Sequence, residues 1–229
     1  MGTWDYDRLR AELKLRHGQR TDFTSSTDWY GRWINNAYLT LCTRNRFWGL
    51  KRNFDFPEME ANTSTTTTAG TAYVSVPTTA LIIRDVFHYT DDYMLYHIGW
   101  DEYVKRTGRA TTASRGAPTE WVRSGSYIYL YPTPDATDTL HIFYRKRPTL
   151  LSSGSDVTAI GAEWDEIIVR MAACQSFLQL GMNDRLKVEK EELNDAIGGL
   201  LGIYNQEFRH SDKHMSIDPS YRGGNEYPS

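Results

Sequence analysis

Three carboxylates stand together near the start of a predicted helix: Glu163, Asp165 and Glu166. Two carboxyl groups facing one another are what glycoside hydrolysis requires, one as the acid and the other as the base or nucleophile. Acidic residues are also common in the first turn of a helix, because their charge interacts favourably with the helix dipole. We assign these carboxylates to the helix start, since no second hydrolytic feature accompanies them.

Two further groups have spacings that chemistry uses. His210 and His214 are four residues apart, which places two metal ligands on one face of a helix, but no third ligand is near in the sequence. We interpret them as exposed polar residues. Gly198, Gly199 and Gly202 resemble a phosphate-binding turn, yet they interrupt an apolar helical pattern, which predicts close helix packing or a kink.

The motifs of common enzyme classes are missing from the sequence. It contains no glycine-rich phosphate loop before a helix and no HExxH, GxSxG or CxxC pattern. The two cysteines, Cys42 and Cys174, each lie on an apolar helical pattern, which predicts buried thiols rather than a disulfide or a metal site. We therefore predict a protein that is not an enzyme and that has no cofactor and no metal.

Composition limits the remaining classes. The chain has 229 residues, of which 40% are hydrophobic, enough for the core of one or two domains. A net charge of −3 argues against a DNA-reading domain, which needs a concentrated basic face. The sequence has no secretory leader at its start and no run of about 18 apolar residues, so we expect no membrane segment.

Helical periodicity marks both ends of the chain. A first helix is predicted over residues 4–17 and ends at Gly18, and a second begins at Thr27 or Asp28, either of which can cap it. Two more helices are predicted after residue 160, the first closed by Gly181 and the second capped by Asp184. The apolar stripes of the two ends need each other as cover, which favours one helical bundle.

Between these ends the apolar period changes to two. Residues 50–150 predict five to seven short antiparallel strands, including residues 80–89 and 93–97. The clearest are a hairpin with a turn at Ser124 and Gly125, and a returning strand with Leu140. The fold class is therefore α+β, with a helical domain (residues 1–50 and 158–210), an inserted antiparallel β-domain (51–150) and an extended tail (211–229).

Two sets of residues in the β-domain are candidates for contacts between subunits or with a partner. Tyr127, Tyr129 and Tyr131 share one face of a strand, where they either cover a core or present a tyrosine-rich surface. A predicted loop over residues 105–117 is basic and can grip phosphates or an acidic neighbour, although a solvated loop is the simpler interpretation. Its candidate contact residues are Arg106, Arg109 and Arg115.

Spaced features over residues 28–210 resemble a known family. They are Trp33, Ile34, Asn35, Asn36 and Ala37 on a helix; Phe47, Trp48, Leu50, Phe54 and Phe56; Gly70 and the run Tyr73, Val74, Ser75, Val76, Pro77; Gly116 and Pro118; the run Tyr131, Pro132, Thr133, Pro134, Asp135; Tyr144 and Pro148; and a helix near Trp164. In these features the chain is similar to the head-to-tail adaptor proteins of tailed bacteriophages.

The resemblance implies a structural protein of the virion, assembled in the host cytoplasm, that connects the capsid to the tail. It implies a ring, usually of twelve copies, that binds the portal protein, contacts neighbouring copies, receives a downstream tail or head-completion protein, and continues the channel through which double-stranded DNA passes without being read. It also implies a C-terminal extension that reaches into the portal.

The C-terminal tail has few apolar residues but keeps anchors at intervals, as an extended binding peptide does. We expect portal contacts from Ile217, Pro219, Tyr221, Arg222 and Tyr227.

Two alternatives remain open at this point. A carbohydrate-binding or hydrolytic β-module of a phage particle can use tryptophan and tyrosine as sugar platforms. A nucleic-acid-binding regulator would show steep salt dependence in DNA binding.

Overall fold

A computed structural model describes residues 3–20, 28–43, 56–108 and 114–214, and of residues 201–214 only the helical backbone. The elements in chain order are α1 (Tyr6–Arg16), α2 (Trp29–Thr43), β1 (Glu60–Thr66), β2 (Tyr73–Ser75), β3 (Ala80–His88), β4 (Tyr93–Met94), β5 (Tyr96–His97), α3 (Trp100–Thr107), β6 (Glu120–Ser124), β7 (Tyr127–Tyr131), β8 (Thr139–Lys146), α4 (Asp165–Gln179) and α5 (Asn183–His214). The predicted α+β class is confirmed.

The chain divides into two compact units. A helical unit consists of Met1–Ala37, Ser153–Val157 and Ala162–Ser229, and a β unit consists of Tyr38–Ser152 and Thr158–Gly161. The helical unit draws on both ends of the chain, and the β unit on its middle.

Helix α1 begins at Tyr6, two residues later than predicted, and ends before Gly18 as predicted. Its N-cap is Asp5, whose carboxylate accepts a hydrogen bond of 2.9 Å from the backbone N–H of Arg8. Leu9 and Leu13 are fully buried. Gly18 has a φ of +69°, a conformation that glycine adopts without strain, and it follows the end of the helix as expected.

Helix α2 is capped by Asp28, one of the two predicted residues. The carboxylate of Asp28 accepts a hydrogen bond of 3.0 Å from the backbone N–H of Gly31. Trp33 and Ile34 are buried, whereas Trp29 at the start of the apolar stripe is exposed. The stripe is therefore covered over most of its length, as predicted, but not in its first turn.

We predict that Gly31→Ala destabilises the helical unit. A Cβ at position 31 would overlap the hydroxyl of Tyr6 and the carboxylate of Asp28, so both the packed ring and the helix cap must move. The free energy of unfolding should fall by about 1–3 kcal/mol, the usual range for overpacking. Chemical denaturation measures this. Gly198→Ala is the control, because a Cβ there meets no atom within 4 Å and alanine favours helix. Equal stability of the two variants would contradict the prediction.

The helical hairpin near the C-terminus departs from prediction in two details. Gly181 follows α4 with a φ of +69°, as expected. Helix α5, however, begins at Asn183, so Asp184 lies in the first turn and is not the cap. It also continues to His214, past the predicted end at His210.

The described residues of the β unit form two four-stranded sheets that share one core. The first sheet has the order β1-β8-β3-β4 and the second the order β2-β7-β6-β5. Side chains from both sheets meet in a single buried cluster that includes Val86, Ile128, Leu130, Leu140 and Ile142. This is the packing expected when the alternating apolar faces of two sheets cover each other.

The predicted hairpin is confirmed. Strands β6 and β7 pair antiparallel, with Ser124 opposite Tyr127, and the intervening Gly125 has a φ of +60°. Ile128 and Leu130 face the shared core and are fully buried.

Three predictions for the β unit are wrong. Residues 93–97 form two short strands in different sheets rather than one strand, because β4 pairs with β3 while β5 pairs with β6. The β5–β6 pair is parallel, so the second sheet is mixed and not purely antiparallel. The described residues contain eight strands, more than the five to seven expected.

Candidate interaction surface

The face of the second sheet opposite the shared core is rich in tyrosine. Tyr127, Tyr129 and Tyr131 alternate along β7 with the buried Ile128 and Leu130, so their rings all lie on this outer face. The structure therefore brings the three predicted tyrosines together.

Helix α3 covers part of this face. The ring of Tyr129 lies 5.3 Å from that of Trp100 and 5.6 Å from that of Tyr103, measured between centroids. Tyr129 and Tyr131 also pack against a small buried cluster that contains Tyr103, Ile98 and Val122. These two tyrosines serve as cover for a minor core, which is the first of the alternatives that the sequence left open.

The rest of the face is not covered by any of the described residues. The rings of Tyr73 and Tyr127 meet edge to face with centroids 4.8 Å apart. Tyr73 is 46% exposed, Trp100 43% and Tyr127 41%. We call Tyr73, Trp100 and Tyr127 the aromatic patch. Tyr127 thus fits the second alternative, a surface presented to a partner, and Tyr73 and Trp100 extend that surface beyond the residues that the sequence indicated.

The predicted basic loop is partly helical. Lys105 and Arg106 lie in α3, which is eight residues long and ends at Thr107, so the loop prediction is wrong for the residues from Lys105 to Thr107. The helix was missed because it is short and its cap position, Gly99, offers no side-chain acceptor.

Arg106 is already neutralised within the β unit. Its guanidinium donates to the carboxylates of Glu102 and Glu120 and lies 5.7 Å from the ring centroid of Tyr131. The hydrogen bond to Glu102, followed by the pairing with Glu120, raises the pKa of Arg106. This side chain therefore fastens α3 to β6 and is poorly suited to grip phosphates.

The other two basic candidates are not joined to Arg106 by any contact that the described residues make. Arg115 is exposed, and its backbone forms an isolated bridge with Thr133 just beyond β7. Arg109 lies outside the described residues.

The three carboxylates near α4 have structural roles. Asp165 is fully buried, and its carboxylate accepts a hydrogen bond of 2.7 Å from the backbone N–H of Trp4. Glu166 pairs with Arg170 at 2.8 Å on the same helix. Glu163 is exposed in the short turn that precedes α4. This arrangement supports the interpretation that the carboxylates belong to the helix start.

His17 was not singled out from the sequence, although it is buried in an aromatic environment. Its ring stacks on Trp33 at 5.6 Å and contacts Phe177 at 4.8 Å. The hydroxyl of Ser176 donates to the backbone carbonyl of Ala173, so it accepts from the Nε2–H of His17 at 2.8 Å. A lone histidine at the end of a helix carries no signal in the sequence that would reveal this.

Within the described parts of the chain, no cluster of three or more His, Cys, Asp or Glu residues is placed to hold a metal ion. The side chains of His210 and His214 lie outside what the structure describes. In the same described ranges, no helix combines the length and apolar character needed to cross a bilayer.

Both cysteines are buried free thiols, as predicted. Burial raises the pKa of Cys42 and of Cys174 to about 12. We predict that iodoacetamide at pH 8 leaves both unlabelled in the folded protein, because the thiolate is the reactive form, and labels both in denaturant. Mass spectrometry measures the labelling. Leu15→Cys, at an exposed position, is the positive control. Rapid labelling of either native cysteine in the folded chain would contradict the assignment.

No curated protein matches this chain. Residues 5–216 match the family described as SU10 adaptor protein, so the match spans more of the chain than the features recognised in the sequence. It includes segments of both the helical unit and the β unit. The predicted resemblance is confirmed: the chain belongs to the SU10 adaptor protein family, a family of phage head-tail adaptors.

Proposed function

We propose that this protein forms a ring between the portal and the tail, and that the ring continues the channel for DNA. Membership of the adaptor family makes it a structural protein of the virion that interacts with the portal and with other virion proteins. The match over residues 5–216 carries the proposal, because it includes both compact units rather than one shared module. The ring, its twelve copies and the channel go beyond the match and are our proposal.

The aromatic patch is proposed as a contact between neighbouring copies. Tyrosine and tryptophan supply large contact areas with few rotatable bonds, and they are enriched at protein interfaces. Tyr127 is held against Tyr73, and Trp100 against Tyr103, so these rings are ordered before any partner arrives. Preordered side chains lose less entropy on binding, which favours association.

The tail is proposed as the anchor in the portal, through Ile217, Pro219, Tyr221, Arg222 and Tyr227, all outside the described residues. Helix α5 runs as far as His214 and leads directly into this segment. A peptide with separated anchors can lie along a groove of its partner and gain affinity from each anchor in turn.

The charge of the protein is compatible with a DNA channel. With a net charge of −3, the chain lacks the basic excess that would hold DNA phosphates tightly. A wall that binds DNA weakly permits sliding, which passage of the genome requires.

The downstream tail or head-completion protein would bind the opposite face of the ring.

Electron microscopy of the purified protein mixed with its portal tests the proposal directly. We expect rings on the portal, coaxial with its channel, and class averages that report the number of copies. The portal alone and the adaptor alone are the controls. Single copies scattered on the portal, or no binding, would contradict the ring.

A further inference from the structure

Strand β1 lies at one edge of the first sheet. Its seven residues pair with β8 on one side in an unbroken register from Glu60 opposite Arg145 to Thr66 opposite Thr139. On the other side, within the described residues, no strand pairs with it. The remaining sheet edges, β2, β4 and β5, are only two or three residues long.

The hydrogen bonds around β8 show which residues of β1 point outward. Each residue of an antiparallel strand directs its N–H and C=O to one side, and the next residue to the other. The backbone N–H of Tyr89 donates to the carbonyl of Thr139 on the β3 side. The backbone groups of the next residue, Leu140, therefore point towards β1. Leu140 lies opposite Thr65, so Thr65 directs its backbone groups to β8. Two residues later, the backbone N–H of Thr67 donates to the carbonyl of Asp138, which fits the same alternation.

It follows that Ala61, Thr63 and Thr65 use their backbone groups to pair with β8. Glu60, Asn62, Ser64 and Thr66 direct theirs away from the sheet. The outward residues are all exposed.

This edge lacks the usual protections against pairing. Natural proteins block exposed edges with lysine, proline, bulges or very short strands. Strand β1 is long and regular, has Glu60 as its only charged residue, and contains neither lysine nor proline. Such an edge is a template for an added strand, a recurrent mode of peptide recognition.

The size of the edge limits what can occupy it. Seven residues span about 23 Å and bury far less than the roughly 1,000 Å² that a stand-alone interface needs. The added strand must therefore belong to a chain that is already held nearby by other contacts.

We infer that the free edge of β1 receives an extended segment of the neighbouring copy of this chain, an inference that rests on the proposed ring. Each copy has one β1 edge, so every edge in a ring is filled if each copy gives one segment to its neighbour. The donor is not β1 itself, because pairing of β1 with β1 needs a two-fold axis that a cyclic ring does not place between neighbours.

Hydrogen exchange tests the inference at single residues. In the free chain, the amides of Asn62, Ser64 and Thr66 should exchange fast while those of Thr63 and Thr65 are slow. In rings formed on the portal, the first three should slow by roughly tenfold or more, because their N–H groups become hydrogen-bonded. Rings with unchanged exchange at these amides would overturn the strand addition but leave the ring standing. If the wild-type chain forms no ring, both proposals fall.

Two variants of Ser64 separate the backbone from the side chain. Ser64→Pro removes an outward N–H that β8 does not use, so the free chain should fold while ring formation is lost. Ser64→Ala keeps the N–H and should form rings normally. If Ser64→Pro does not fold, Ser64→Lys replaces it, since a charge on the edge opposes pairing and leaves the backbone intact. Normal rings from a folded Ser64→Pro chain, or protection on binding of one copy to the portal without a ring, would overturn the proposal.

Discussion

Removal of residues 215–229 is expected to lower the affinity for the portal by roughly tenfold or more, a loss of at least about 1.4 kcal/mol of binding free energy. The reason is that the deletion removes every proposed anchor at once, from Ile217 to Tyr227. Thermal unfolding of the free chain should change little, because the segment contributes few apolar residues to a core. Quantitative pull-down or biolayer interferometry with immobilised portal measures the affinity.

A matched pair of substitutions distinguishes the anchors from the length of the tail. Tyr221→Ala combined with Tyr227→Ala keeps the chain length and removes the two large side chains, so most of the loss should persist. Ser220→Ala is the control and should bind normally. If the truncated chain captures the portal as well as the full chain does, the tail is not the anchor and the docking surface lies elsewhere.

Tyr73→Ala combined with Tyr127→Ala is expected to reduce ring formation on the portal strongly while binding of single copies persists. Both rings belong to the aromatic patch and are more than 40% exposed, so they have surface to lose to a neighbour. Central aromatic residues of an interface typically contribute 2 kcal/mol or more, on the order of a thirtyfold change in affinity. Mass photometry of adaptor–portal mixtures measures the number of copies bound.

An exposed tyrosine elsewhere in the β unit provides the comparison. Tyr89 is 62% exposed and follows β3 in the first sheet, outside the aromatic patch. Tyr89→Ala should leave the number of copies bound unchanged. Equal ring occupancy for the patch variant and the Tyr89 variant would remove the patch from the interface between copies.

The sequence predicts well those elements in which a regular apolar spacing is followed by a glycine in the turn or at the helix end. The β6–β7 hairpin has alternating Ile128 and Leu130 together with Gly125 in its turn, and α1 has Leu9 and Leu13 before Gly18. In each case burial and backbone conformation are fixed by the same short stretch, so local reasoning is sufficient.

The elements that the sequence misses are those whose stability comes from distant residues. Strand β1 has a mostly polar sequence, with Ala61 as its one apolar residue, and its pairing partner lies about 80 residues away in β8. Helix α3 depends on Arg106, which joins it to Glu120 of β6. Strands β4 and β5 are separate because β4 pairs with β3 in the first sheet and β5 pairs with β6 in the second. No local pattern encodes such pairings.

The candidate surface could also be predicted only in part from the sequence. Tyr127, Tyr129 and Tyr131 could be placed on one face from their spacing alone, but which of them α3 covers could not. Tyr73 and Trp100 were not linked to that face, because they come from β2 and α3, and their neighbourhood arises only when the second sheet assembles.

The interleaved order of the chain has a consequence for synthesis on the ribosome. Strand β1 cannot pair until β8 has been made. The backbone N–H of Tyr6 in α1 donates to the carbonyl of Asp156, and that of Trp4, just before α1, donates to the carboxylate of Asp165. Both acceptors are synthesised about 150 to 160 residues later in the chain. At typical rates of about 5–20 residues per second, α1 therefore waits roughly 10–30 seconds for these partners. The β unit is complete once residue 161 has emerged, before α4 and α5 have emerged. The nascent chain should thus acquire protease resistance first in its middle and only later at its beginning.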